Sequence, residues 1–181
     1  MNNLLHEGLD TNTISKLLMQ EYIWKPNKVI PQIFPYKNEA DRISDFCVLK
    51  DKNLHNKLMA CFENANKFYN HNLDGRCSIK IQRYKNTGHI DWHMDEEIKE
   101  GVGSQGTTNV RMLSMSVLLN DNFKGGKMLI KNADNNYLIE YDGPVGKAVI
   151  FPSTWIHKVE PVTNGERYVL TAWAYGDIWV T

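Results

Sequence analysis

The sequence has no excess of either positive or negative charge. Lys and Arg number 21 and Asp and Glu number 21, so the formal net charge is zero. A neutral chain lacks the electrostatic footprint of a protein that grips a phosphate backbone, so no nucleic-acid partner is expected. Cysteine is scarce as well. Cys47, Cys61 and Cys77 are three in number and form no CxxC pair. They read as free thiols of a reducing compartment, not as a disulfide frame or a zinc site. Long apolar runs are absent. Stretches such as Met115–Leu119 and Ala148–Phe151 are far too short to span a bilayer, and Met1–Asp10 has no basic start followed by an apolar segment. No membrane partner and a cytoplasmic location are therefore expected. Internal repeats, low-complexity tracts and Gly/Ser linkers are missing too, which leaves one domain over residues 1–181 as the expectation. At this length a chain can bury a sizeable core without metal or disulfide support.

The chain changes character near residue 75. Before it, the apolar spacing is helical. Asp10 or Thr11 can cap a segment over Thr13–Tyr22, where Ile14, Leu17, Leu18 and Tyr22 recur at helical spacing. A longer helix is expected over Asn53–Asn70, with Leu54, Leu58, Met59, Cys61, Phe62, Ala65 and Phe68 on one broad face. The Pro-punctuated stretch Pro26–Tyr36 reads as loop and short strand. Beyond residue 76 short alternating strands take over. They are expected near Ser78–Tyr84, Gly88–Met94, Met112–Leu119, Lys127–Ile130, Tyr137–Tyr141, Ala148–Phe151, Ile156–Pro161 and Tyr168–Tyr175. Gly125-Gly126, Asp142-Gly143-Pro144 and Asn164-Gly165 supply turns between them. The expected fold class is mainly β with flanking helices (α+β): a double-sheet jelly roll (a cupin-like double-stranded β-helix) or a barrel. Residues 1–75 are expected to form a helical support packed on one sheet, and residues 76–176 the jelly-roll core.

Chemistry concentrates in a few positions. His93-Met94-Asp95 ends a predicted strand, and alternation puts His93 and Asp95 on one face with Met94 on the other. An imidazole and a carboxylate placed this way can converge on one metal. The tripeptide alone is weak, and a surface histidine beside the acidic run Asp95-Glu96-Glu97 is the alternative. His157, in a late strand, adds a third donor that a jelly roll can bring beside the first two. Two histidines and one carboxylate on one side of an ion suit non-haem Fe(II) and leave positions open. A structural zinc site would close its coordination, usually with thiolates, and no cysteine is near. Arg167, ten residues after His157, shares a strand face with Val169, Thr171 and Trp173. An arginine on the inward face of a barrel calls for an anion, either a ligand carboxylate or an acid such as Glu166 or Asp142. His6, His55, His71 and His89 read as surface or loop residues.

Taken in order, these motifs are similar to those of the Fe(II)- and 2-oxoglutarate-dependent dioxygenases, and most resemble the prolyl 4-hydroxylase branch. The resemblance rests on Gln82-Arg83-Tyr84, Gly88, His93-Met94-Asp95, the run Leu113–Asn120, Phe123-Lys124-Gly125-Gly126, and His157 through Trp173, and it spans roughly residues 78–176. It implies that His93, Asp95 and His157 bind iron and that Arg167 holds the far carboxylate of 2-oxoglutarate. It also implies that Tyr84, Thr171 and Trp173 line the cosubstrate pocket. The catalytic set would be His93, Asp95, His157 and Arg167, with Fe(II) as cofactor, 2-oxoglutarate and O2 converted to succinate and CO2 as the substrate is hydroxylated, and ascorbate as a reductant. Retention of Asp95 points to hydroxylation, since related halogenases lose that ligand. Three positions depart from the pattern. The glycine after Tyr84 comes one residue late, Asp91 stands where an aromatic is usual, and Leu118 stands where some relatives have a tyrosine.

The implied substrate is a prolyl residue in a peptide or protein, with Trp92 and Arg111 as candidate contacts. A free amino acid or other small molecule is the alternative within the same chemistry, and a non-catalytic cupin-like metal-binding module is the alternative outside it. Relatives that demethylate nucleic acids carry a second arginine six residues after the first, where this chain has Trp173. The polar, glycine-rich segment Glu96–Val110 reads either as a lid or as a plain surface loop.

Overall fold

The computed structural model describes residues 4–27, 42–95, 110–132, 137–141 and 143–177. In chain order the first elements are β1 (Leu5–His6), α1 (Thr11–Met19), β2 (Lys25–Pro26), β3 (Arg42–Ile43), β4 (Asp45–Leu49) and α2 (Lys52–Tyr69). The strand-rich remainder begins with β5 (Leu73–Tyr84), β6 (His89–His93), β7 (Val110–Leu118), β8 (Lys124–Gly125) and β9 (Met128–Lys131). It ends with β10 (Leu138–Tyr141), β11 (Ala148–Pro152), β12 (Ile156–Val159), β13 (Val162–Asn164) and β14 (Arg167–Gly176).

A seven-stranded sheet runs β1-β11-β7-β14-β5-β4-β2, and a five-stranded sheet runs β10-β9-β12-β6-β3. Their pairings are antiparallel, and β13 pairs with β8 at one end. Alternation along the larger sheet divides its residues between two apolar clusters. Ile79, Ile81, Leu113, Met115, Val117, Ile150, Leu170 and Ala172 meet α1 and α2 through Ile14, Leu17, Leu54, Leu58, Phe62 and Ala65. The opposite face sends Tyr84, Val149, Phe151 and Val169 against Ile90, Met128, Ile130 and Val159 of the smaller sheet. The two sheets thus enclose a jelly-roll interior, and the helices cover the outside of one of them, as the switch in periodicity predicts.

Local chemistry explains where the helices stop. Asp10 caps α1 by accepting the Thr13 N–H at 2.8 Å, and Asp51 caps α2 by accepting the Leu54 N–H at 2.8 Å. Asn70 closes α2 in the left-handed region at φ 54°. The expected Thr13–Tyr22 helix is shorter than its spacing suggests. Gln20 is already extended, and Tyr22 folds back so that its hydroxyl donates to Leu17 O at 2.8 Å. Leu18 and Phe68, assigned to buried faces by spacing, are exposed. The region before residue 75 is also not purely helical, because β4 pairs with β5 and β3 with β6. Among the described residues no helix is long and apolar enough to cross a membrane.

Candidate metal and cosubstrate site

A bulge in β6 aims the first donor. His157 pairs with His93 and Val159 with Ile90, so the single intervening residue on β12, Lys158, faces two on β6, Asp91 and Trp92. Without that extra residue Ile90 and His93, three apart, would face opposite sides. With it both point inward and are buried, while Asp91 is exposed and its carboxylate accepts the Trp92 N–H at 2.7 Å. Asp91, the departure noted above, occupies the bulge itself.

The donors then converge. His93 Nε2 lies 3.6 Å from Asp95 Oδ1, and His157 Nε2 lies 3.3 Å from Asp95 Oδ2. The two imidazole centroids are 4.1 Å apart. Donors placed cis about a common ion at about 2 Å stand about 3 Å from one another, so a small contraction would seat a cation here. Each ring is oriented from behind by the same device. His93 Nδ1 is 2.9 Å from Asp91 O, and His157 Nδ1 is 3.1 Å from Trp155 O. A carbonyl only accepts, so the proton sits on Nδ1 and the Nε2 lone pair is the one offered to a metal. Phe151 packs edge-on against His157 at 4.9 Å and keeps that side apolar.

Electrostatics suits a dication. Burial pushes the His93 imidazole down to about 4, with His157 and Arg42 adding to the effect and Asp95 opposing it. Burial raises the Asp95 carboxyl, but the adjoining imidazoles outweigh it and hold the group well below the usual carboxylate range. At neutral pH the set is a neutral His93 and a carboxylate. The depressed His93 value also predicts an acid-side loss of stability in the metal-free chain. Unfolded, His93 would take up its proton near pH 6.5; folded, it resists until about 4. Protons therefore favour the unfolded state as pH falls through that window, by about 3 kcal/mol in total from this group. Melting temperatures measured at pH 7, 5.5 and 4.5 should decline across it, and a flat profile would contradict the assignment.

The cosubstrate residues expected from sequence line the same interior. Arg167, Val169 and Trp173 are buried on the inward face of β14, as parity predicts. The Arg167 guanidinium carbon stands 5.4 Å over the Tyr84 ring. Tyr84 Oη donates to Gln82 Oε1 and Gln82 Nε2 donates to Thr171 Oγ1, each at 2.9 Å, linking β5 to β14. Burial raises the Tyr84 phenol above its ordinary value, so it stays neutral. Gly126 makes room for this arrangement. At φ +68° a Cβ there would stand 2.8 Å from Arg167 Cδ and 3.0 Å from Val162 Cγ2. The cradle left by the missing Cβ lets the arginine lie inward, where its planar fork matches a carboxylate. Gly126→Ala should cost about 1–3 kcal/mol of stability from backbone strain and crowding. It should also weaken 2-oxoglutarate binding more than metal binding, as paired titrations would read.

The two candidate substrate contacts part company. Arg111 lies at the site: its Nη1 donates to Asp95 O at 3.3 Å, and its guanidinium stacks 4.5 Å over Trp173. Trp92 stands on the outer face of the smaller sheet, between the ammonium groups of Lys131 at 5.3 Å and Lys158 at 5.2 Å, and is not brought to the triad. Residues 96–109 of the expected lid lie outside the described residues. Sequence reasoning missed Ser114 and Ser153, both buried against Asp95, and Arg42, paired with Ile90 on the inward side of β3. The signal for Ser114 was its inward parity between Leu113 and Met115; Arg42 and Ser153 had none.

Fold and site together define a jelly-roll protein with two histidines and a carboxylate gathered on one side of its interior. Residues 79–175 match the family model of the 2OG-Fe(II) oxygenase superfamily, and the chain belongs to that superfamily. The donor set fits its iron, and the Gly126 cradle beside Arg167 fits its carboxylate cosubstrate. Among curated proteins, the PKHD-type hydroxylase PiuC of Pseudomonas aeruginosa is 34% identical over 93 residues, covering 50% of this chain and 39% of that protein. The chain thus spans about two fifths of the length of the curated relatives it matches. A prolyl hydroxylase of Trichoplax adhaerens, solved with a peptide fragment of the hypoxia inducible factor oxygen degradation domain, has TM-score 0.67 and 14% identity, covering 97% of this chain and 84% of that one. The viral collagen prolyl hydroxylase of Paramecium Bursaria Chlorella virus-1, solved as a 2OG complex, has TM-score 0.60 and 16% identity, covering 95% and 94%. At such identities the likeness carries the fold.

Proposed function

We propose that this chain is an Fe(II)- and 2-oxoglutarate-dependent hydroxylase of prolyl residues in a peptide or protein. The observation that carries the reading is the convergence of buried His93, Asp95 and His157 in the same interior as buried Arg167. When bound, Fe(II) lets dioxygen oxidise 2-oxoglutarate to succinate and CO2 and hydroxylate a substrate C–H. The chain's part is binding and exclusion of water. His93, Asp95 and His157 would hold the ion on one side, and Arg167 would fix the far carboxylate of 2-oxoglutarate, with Tyr84, Thr171 and Trp173 along the pocket wall. Phe151, Ile130 and Val169 keep the surroundings apolar. Arg111, between Trp173 and the Asp95 backbone, would meet the substrate. Free thiols at Cys47, Cys61 and Cys77 support a reducing, cytoplasmic setting.

The peptide reading draws on the relatives, which are named hydroxylases of the PKHD type and prolyl hydroxylases, one of them held with a peptide. Its test is mass spectrometry of proline-containing peptides and of free amino acids, each incubated with the chain, Fe(II), 2-oxoglutarate and ascorbate. Gain of one oxygen on a peptide proline is the expected product. Oxygen gained only by a free amino acid would replace the substrate assignment with the small-molecule one.

A further inference from the structure

Asp95 lies two residues beyond β6, so no ladder bond of the smaller sheet holds it. The larger sheet holds it instead. The Asp95 N–H donates to Ser153 O at 3.0 Å, and the Ser153 N–H donates to Met112 O at 3.0 Å. Ser114 Oγ donates to Asp95 Oδ2 at 2.9 Å, and Ser153 Oγ is 2.9 Å from Ser114 Oγ. Ser114 is on β7, Ser153 directly follows β11, and these strands are neighbours. Both serines are closed to solvent, at 2% and 0% exposure.

Proton counting gives the chain a direction. An ionised carboxylate only accepts, so the single hydroxyl hydrogen of Ser114 goes to Asp95. Ser114 Oγ can then only accept from its neighbour, so the hydrogen between the serines belongs to Ser153. The relay runs Ser153 to Ser114 to Asp95 and ends on a charge, where a hydrogen bond is strongest. Ser153 thus braces Asp95 twice, through its carbonyl and through Ser114.

The geometry points to Ser114 and Ser153 as positioning residues: their relay engages Asp95 Oδ2, the oxygen 3.3 Å from His157 Nε2, and leaves Oδ1, 3.6 Å from His93 Nε2, as the single oxygen that would meet the metal. The other coordination positions stay open to cosubstrate and dioxygen. This inference rests on the Fe(II) reading of the site. A ligating carboxylate left unheld can turn and take the ion with both oxygens, closing one of those positions. Outer partners of this kind typically change metal affinity by about 10–100-fold.

The test uses the full chain stripped of metal and titrated with Co(II), whose visible bands report ligand geometry. Wild type should bind one equivalent. Ser114→Ala, which fits the same space, should weaken Co(II) binding by about tenfold or more and move the bands. Ser153→Ala keeps the Ser114–Asp95 bond and should weaken binding by a smaller factor. Melting of the metal-free variants separates this from plain packing. Affinity and bands equal to wild type in Ser114→Ala, whatever its melting temperature, would overturn the positioning role. If Ser114→Ala does not fold, unchanged affinity in Ser153→Ala overturns it. Failure of wild type to bind Co(II) would instead overturn the metal reading, and this inference with it.

Discussion

Asp95→Ala should abolish metal binding and turnover together. Removing an outer partner of a ligand already costs about 10–100-fold in affinity, so losing the charged ligand itself should cost on the order of 100-fold or more. The two remaining donors are imidazoles, and His93 is neutral at neutral pH. Nothing else in the cluster offsets the charge of a divalent ion: among the described residues the only donors gathered there are His93, Asp95 and His157. The fold should survive, because alanine adds no bulk and Ser114 and Ser153 still bond to each other. Asp95→Asn separates shape from charge, since the amide keeps the size and loses the anion. Both variants should show circular dichroism like wild type with metal binding lost. Retained metal binding in Asp95→Ala would remove this residue from the site.

Arg167→Ala should raise the 2-oxoglutarate requirement by about tenfold or more, since a charged hydrogen-bonded pair contributes on the order of 1.5–3 kcal/mol. Metal affinity should hold, because the iron donors come from β6, its extension and β12, not from β14. Arg167→Lys should recover only part of the loss, as an ammonium cannot reproduce a two-pronged contact. The Gly126 cradle sharpens the expectation. It is shaped to the arginine's Cδ, so a lysine there would fill the space without delivering the fork. Titration of 2-oxoglutarate at saturating metal reads all three proteins. An unchanged apparent affinity in Arg167→Ala would make this arginine structural and place the cosubstrate elsewhere.

Much of this site was legible in the sequence because strand parity is a strict rule. Counting by twos set Arg167, Val169, Thr171 and Trp173 on one face, and β14 is regular enough to keep them there. On β6 the rule set His93 and Asp95 on one face, where they converge, but it does not foresee the bulge that turns Ile90 inward as well. A bulge depends on the partner strand, and nothing in His89–His93 announces it. Helical spacing overshot in the same way at Tyr22, whose ring packs near the helix without belonging to it. The role of the serines behind Asp95 was hidden for another reason, although parity turns Ser114 inward. Serine is common and small, and its role here arises only where β7 meets the end of β11. Arg42 is similar: it reaches the site because β3 pairs with β6, a contact between segments that sequence periodicity does not relate.

The most direct test of the account is succinate formation from 2-oxoglutarate by the purified chain, with and without added Fe(II). The account predicts succinate that requires Fe(II), disappears in Asp95→Ala, and returns in Arg167→Ala only at raised 2-oxoglutarate. A metal-loaded wild-type chain that binds 2-oxoglutarate no more tightly than Arg167→Ala does, and yields no succinate with any proline-containing peptide, would contradict it.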